Sequence, residues 1–143
     1  MKSIYTLNSA EETMAWGQKF GNILDNKAII LLKGPMGAGK TTLTKGIARG
    51  MGIEEIVTSP TFTIISEYPG NKPLIHIDLY RLEGEDDFES IGLAELLDGP
   101  GVKILEWSEK LGDYIKGFET MEITFSILND NKRQIETKGI TLS

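Results

Sequence analysis

The nine residues Gly34-Pro35-Met36-Gly37-Ala38-Gly39-Lys40-Thr41-Thr42 constrain this chain more than any other stretch. They fit G-x-x-x-x-G-K-[ST], a phosphate-binding loop that works only between a strand and a helix. Both flanks are present. Ala28-Ile29-Ile30-Leu31-Leu32, ending at Lys33, is the apolar run of a strand buried on both faces of a parallel sheet. After the loop, Leu43, Ile47 and Met51 recur at helical spacing until Gly50 and Gly52 end the pattern. The sequence therefore predicts an α/β chain, a single-domain P-loop NTPase fold with a mixed β-sheet flanked by helices.

The residue types supply the chemistry. Gly34, Gly37 and Gly39 permit backbone conformations closed to residues with a Cβ, so the N–H groups along Gly37, Ala38 and Gly39 can turn toward one anion. A helix starting near Lys40 adds the partial positive charge of its N-terminus. Lys40 would reach the β- and γ-phosphates, the Thr41 hydroxyl would ligate Mg²⁺, and Thr42 would contact the α-phosphate or cap the helix.

The chain has 143 residues, enough for one domain, expected over residues 1–143. No apolar run approaches the roughly 20 residues of a membrane helix, and no signal peptide is visible at the N-terminus. With no cysteine the chain suits a reducing compartment, and a cytoplasmic location is expected. Its net charge is −6 and its arginines are Arg49, Arg81 and Arg133 alone. That balance argues against gripping a nucleic-acid backbone over a large surface.

A strand and a helix precede the loop. Residues 3–7 alternate weakly as a strand. Ser9-Ala10-Glu11-Glu12 forms a capping box, with Glu12 reaching back. Ala10, Met14, Gly17, Gly21 and Leu24, with Phe20 alongside, then share a helical face. This prefix can cover the base of a nucleotide. Residues 62–68 and 74–79 predict an antiparallel hairpin, and Phe88, Ile91, Leu93, Leu96 and Leu97 anchor a helical region. Residues 102–106 form a short buried strand, with a short helix around Glu109-Lys110-Leu111. Residues 121–128, 133–137 and 140–142 predict a terminal meander turning at Asn129-Asp130-Asn131.

A P-loop NTPase also needs a carboxylate at a strand end facing the magnesium. Asp78 and Glu106 both end strands, the position where ligands sit in open α/β sheets. Glu106 ends the more apolar strand and is expected to hold the metal, directly or through water. Asp78 is then expected to orient the attacking water or to touch the metal through another ligand. Ser59-Pro60-Thr61 either places hydroxyls beside the γ-phosphate or simply uses them to form a turn. His76 is expected as a packed or polar-satisfied sheet residue, and Trp107 as a core residue. Residues 131–134 lack the acid of a guanine-reading Asn-Lys-x-Asp, so adenine is favoured by elimination.

In order along the chain stand Gly34–Thr42, Ser59-Pro60-Thr61-Phe62-Thr63, His76-Ile77-Asp78-Leu79-Tyr80-Arg81-Leu82, Ile91-Gly92-Leu93 and Glu106-Trp107-Ser108-Glu109-Lys110. Together these resemble the bacterial TsaE family, the ATPase of tRNA threonylcarbamoyladenosine (t6A) biosynthesis. Pro35-Met36 departs from the family pattern, while the phosphate-binding positions match it. The resemblance implies a slow ATP- and Mg²⁺-dependent ATPase working with the TsaD and TsaB proteins. These transfer a threonylcarbamoyl group to adenosine 37 of tRNAs reading ANN codons, so tRNA would be met only through the complex. It also implies magnesium on Thr41 and Glu106, a role for Asp78 in hydrolysis, and adenine contacts from Ser9, Thr13 and Arg133. Two other readings stand beside it. A small-molecule kinase would need more arginines and a lid, and a nucleotide-sensing module would bind without turnover.

Overall fold

In the computed structural model, residues 2–35, 37–54 and 65–140 are described. The expected Ser59–Thr63 segment and residues 141 and 142 lie outside them.

The seven strands among the described residues join one sheet. They are β1 (Lys2–Leu7), β2 (Ile29–Lys33), β3 (Ile65–Tyr68), β4 (Leu74–Asp78), β5 (Val102–Glu106), β6 (Met121–Ile127) and β7 (Arg133–Lys138). Their order across the sheet is β1-β7-β6-β2-β5-β4-β3. The apolar P-loop strand β2 takes the centre, parallel to β5 on one side and to β6 on the other. β5 is also parallel to β4, with Asp78 opposite Glu106, and β3 pairs antiparallel with β4 as the hairpin expected from sequence. β6 and β7 pair antiparallel, as the first two strands of the expected terminal meander. β6 pairs parallel with β2, and β7 and β1 extend the same sheet antiparallel beyond it.

Strand alternation divides the core into two layers. Ile30, Leu32, Leu74, Val102, Ile104 and Phe125 face α1 (Ala10–Ile23) and α2 (Lys40–Gly50). Ile29, Leu31, Ile75, Ile77 and Leu105 face α3 (Glu85–Ser90) and α4 (Leu93–Asp98), with Leu111 of a 3₁₀ segment over Ser108–Gly117. The helical region expected around residues 84–98 is two helices because Gly92 takes φ +70° between them, which stops the first helix.

α1 and α2 approach backbone to backbone. A Cβ on Gly17 would stand 2.8 Å from the Leu43 carbonyl oxygen, and one on Gly46 would stand 2.5 Å from that of Met14. Gly21 and Gly50 meet Ile47 and Gln18 in the same way. Four glycines thus let α1 lie directly on the helix that starts at the glycine loop. The buried face of α1 is turned from the one expected: Thr13 and Trp16 join Gly17, Phe20 and Gly21, while Ala10 is exposed. Trp16 explains the shift, since its ring packs against Tyr5 of β1 and Phe20.

Candidate functional site: a glycine loop facing a strand-end glutamate

β2 ends at Lys33, and the chain enters the loop through Gly34 at φ +138°. A Cβ there would strike Phe125 of β6 at 2.8 Å, so only glycine lets the loop leave the sheet at this point. Gly37 (φ +78°) and Gly39 (φ +112°) supply further left-handed steps, and Ala38 N–H closes a turn on the Pro35 carbonyl at 3.2 Å. Gly39 is the N-cap of α2 and has no side chain to satisfy the first amides of the helix. Those amides and the dipole behind them form a site of positive potential beside Lys40 and Thr41.

Lys40 leans back across the loop. Its Nζ donates to the Gly34 carbonyl at 2.9 Å and stands 3.6 Å from Glu106 Oε1. Glu106 ends β5 on the α2 side of the sheet, where strand alternation also places His76 and Asp78. Its other oxygen, Oε2, lies 2.6 Å from His76 Nε2. Burial pushes the Glu106 carboxyl upward, but the His76 hydrogen bond and the His76 and Lys40 charges outweigh it, so the group sits below its ordinary value and is ionised near neutrality. His76 is fully buried, and its Nδ1 has no partner among the described residues.

Asp78 is partly exposed, and its Oδ1 accepts from Tyr80 N–H at 2.9 Å. Among the described residues Lys40 pairs with Glu106, and no ion pair joins it to Asp78. The structure thus sets the two acids side by side with different neighbours: Glu106 within the lysine–histidine pair, Asp78 at the mouth of the same strand ends.

A cavity of about 480 Å³ opens beside the loop. Gly37, Ala38, Gly39 and Thr42 form its floor, Ser9 and Thr13 one wall, and Arg133 another. These seven residues were expected in the site from sequence or resemblance, and the fold gathers them. Asn8, Ala10, Glu11, Asp130 and Asn131 complete the lining and were not expected there. Residues 129–131 had read only as a turn, although their place just before Arg133 was the available signal. The Ser9 hydroxyl accepts from Glu12 N–H at 3.1 Å as the helix cap, and Thr13 Oγ1 donates to the Ser9 carbonyl at 3.3 Å. Glu12 reaches back to Asn8 N–H at 3.2 Å, one residue beyond its expected partner.

Trp107 is not a core residue. It takes φ +61°, which turns its indole out to 39% exposure, where it packs at a tilt against Tyr80, 4.9 Å between ring centroids. Lys110 Nζ binds the Tyr80 carbonyl and lies 5.2 Å from the centre of that ring.

Among the described residues no group of three or more His, Asp or Glu could hold an ion by itself. An ionised Glu106 and the Thr41 hydroxyl suit an ion that keeps few protein ligands and shares the rest with phosphate and water, as Mg²⁺ does. The donors fit.

A buried parallel strand, a three-glycine turn, and a helix opening on lysine and threonine opposite a strand-end acid define a P-loop NTPase-like fold. Residues 7–135 match the family model for the threonylcarbamoyl adenosine biosynthesis protein TsaE. The tRNA threonylcarbamoyladenosine biosynthesis protein TsaE of Treponema pallidum is 40% identical over 127 residues, 89% of this chain and 93% of its own. Its namesake in Bacillus subtilis is 42% identical over 126 residues, 87% of this chain and 78% of its own. A crystal structure of YdiB from Bacillus subtilis superposes with a TM-score of 0.79 at 33% identity, covering 96% of this chain and 84% of that one. The chain belongs to the TsaE family, whose members serve t6A biosynthesis in tRNA. Among its described residues no helix is long and apolar enough to cross a membrane.

Proposed function

We propose that this protein is a slow, Mg²⁺-dependent P-loop ATPase that works with TsaB and TsaD in the threonylcarbamoylation of adenosine 37 of tRNAs reading ANN codons. The observation that carries the reading is the placing of Lys40 between the glycine loop and an ionised Glu106. In this account the first amides of α2 and Lys40 bind the β- and γ-phosphates, and the cavity beside them takes the adenosine. Thr41 and Glu106 would hold Mg²⁺, which when bound neutralises charge on the phosphate oxygens. His76 keeps Glu106 turned toward the loop. Asp78, open to solvent at the next strand end, is suited to orient the attacking water.

The test is phosphate release from ATP by the chain alone and with TsaB and TsaD. Slow release that depends on magnesium and changes in the presence of both partners supports the proposal. Tight ATP binding with no release under either condition points to a sensing module. Should Glu106→Ala leave magnesium-dependent release intact while Asp78→Ala removes it, the two acids exchange roles.

A further inference from the structure

We propose that Arg133 is a positioning residue that latches the apex of the glycine loop, so that it acts on the phosphate end of a bound nucleotide and not on its base. The proposal rests on the nucleotide-binding reading of the site and departs from the adenine contact that the family resemblance implies.

Arg133 opens β7, directly after the β6–β7 turn. All its hydrogen bonds to described residues end on backbone carbonyls. Nε donates to Ala38 O at 3.2 Å and Nη2 to Gly37 O at 3.4 Å, both in the loop. Nη1 donates to the turn, at 2.7 Å to Asn129 O, 3.1 Å to Lys132 O and 3.3 Å to Asp130 O. The turn is itself braced, since Asn129 Oδ1 accepts from the N–H groups of Asn131 at 3.0 Å and Lys132 at 2.9 Å. The guanidinium is therefore a strut between a fixed hairpin and the loop.

What the strut fixes follows from peptide geometry. In a planar trans peptide the C=O and the following N–H point in opposite directions. Holding the Gly37 and Ala38 carbonyls toward Arg133 directs the Gly39 N–H away from it and the Ala38 N–H into its turn on the Pro35 carbonyl. Gly37 and Gly39 have left-handed φ and no side chain that could enforce this orientation. A planar fork with donors on three nitrogens can span two loop carbonyls and a turn together, whereas an ammonium is a point charge without that geometry.

The test uses the full chain and its Arg133→Met and Arg133→Lys variants. In nucleotide-free protein, amide hydrogen exchange at Ala38 and Gly39 should quicken about tenfold in Arg133→Met, and less in Arg133→Lys, as charge-assisted bonds are lost. ADP and CDP should both weaken by the same factor, about tenfold, leaving their affinity ratio unchanged. Exchange at the wild-type rate would overturn the latch. So would loss confined to ADP, which would mark a base contact, or an Arg133→Lys protein equal to wild type in both assays, which would reduce the role to charge. If wild type binds no nucleotide, the ATPase reading falls, and the exchange rates still decide the latch. If Arg133→Met does not fold, Arg133→Lys carries both measurements.

Discussion

Replacing Gly46 by alanine tests the seam that brings the β1–α1 unit onto the loop. Helix propensity alone favours alanine over glycine by about 0.8–1.0 kcal/mol in a helix interior. At this seam the added Cβ would stand 2.5 Å from the Met14 carbonyl oxygen and 3.2 Å from both Met14 C and Gly17 Cα. All three atoms are backbone, so no rotamer change relieves the clash, and the helices must part by roughly 0.7–0.9 Å to restore ordinary contact. Overpacking of this kind costs about 1–3 kcal/mol, more than the propensity gain in most of that range. We expect Gly46→Ala to lower stability by about 1 kcal/mol and Tm by roughly 2–4 °C. Urea denaturation followed by Trp16 fluorescence measures it, because Trp16 is buried on α1. Gly117→Ala is the control: no atom lies within 4 Å of its added Cβ, so the change should stay within about 0.5 kcal/mol. A Gly46→Ala protein as stable as wild type, with unchanged m, would refute the backbone-to-backbone packing. Parting the helices also moves the Ser9–Thr13 wall, so ADP affinity should fall together with stability.

Replacing His76 with leucine removes the 2.6 Å bond to Glu106 while filling the same buried volume. ATP turnover should fall about ten- to hundredfold, with ADP affinity within a few-fold of wild type; equal losses in both would mean that His76 only holds the sheet together. Glu106 has a folded pKa below its ordinary 4.5, so it adds stability above that value and loses it as pH falls through the lower folded value. Glu106→Gln should therefore flatten part of the acid limb of a stability–pH profile. Glu122, held down by its hydrogen bond to Lys33, should supply another part. An unchanged limb in Glu106→Gln would contradict the lysine–histidine pairing.

What the sequence disclosed was local. The loop, β2 and α2 follow from neighbouring residues, and residues 102–106 form β5 with the limits expected, because each signal lies within one element. Non-local pairing was hidden. Nothing in residues 121–138 says that β6 will run parallel to β2, since alternation fixes the face of a strand and not its neighbour. The His76–Glu106 pair was half visible: His76 reads as sharing the face of Asp78, but only the β4–β5 register brings Glu106 beside it. Trp107 failed for a backbone reason. Alternation assumes an extended chain, and at φ +61° Trp107 leaves the extended path directly after β5, which sends the indole outward. Arg133 was named from the family pattern, while its carbonyl partners depend on a loop and a turn meeting across 95 residues of sequence.

The central claim is that a polyphosphate nests at the start of α2, held by Lys40. Isothermal titration of wild type, Lys40→Ala and Glu106→Ala with ATP, each with and without magnesium, tests it most directly. Wild type should bind ATP, Lys40→Ala should lose at least about a hundredfold in affinity, and Glu106→Ala should keep binding while losing the magnesium dependence. A folded wild-type protein that binds no adenosine nucleotide, or a Lys40→Ala protein that binds ATP as tightly as wild type, would contradict the account.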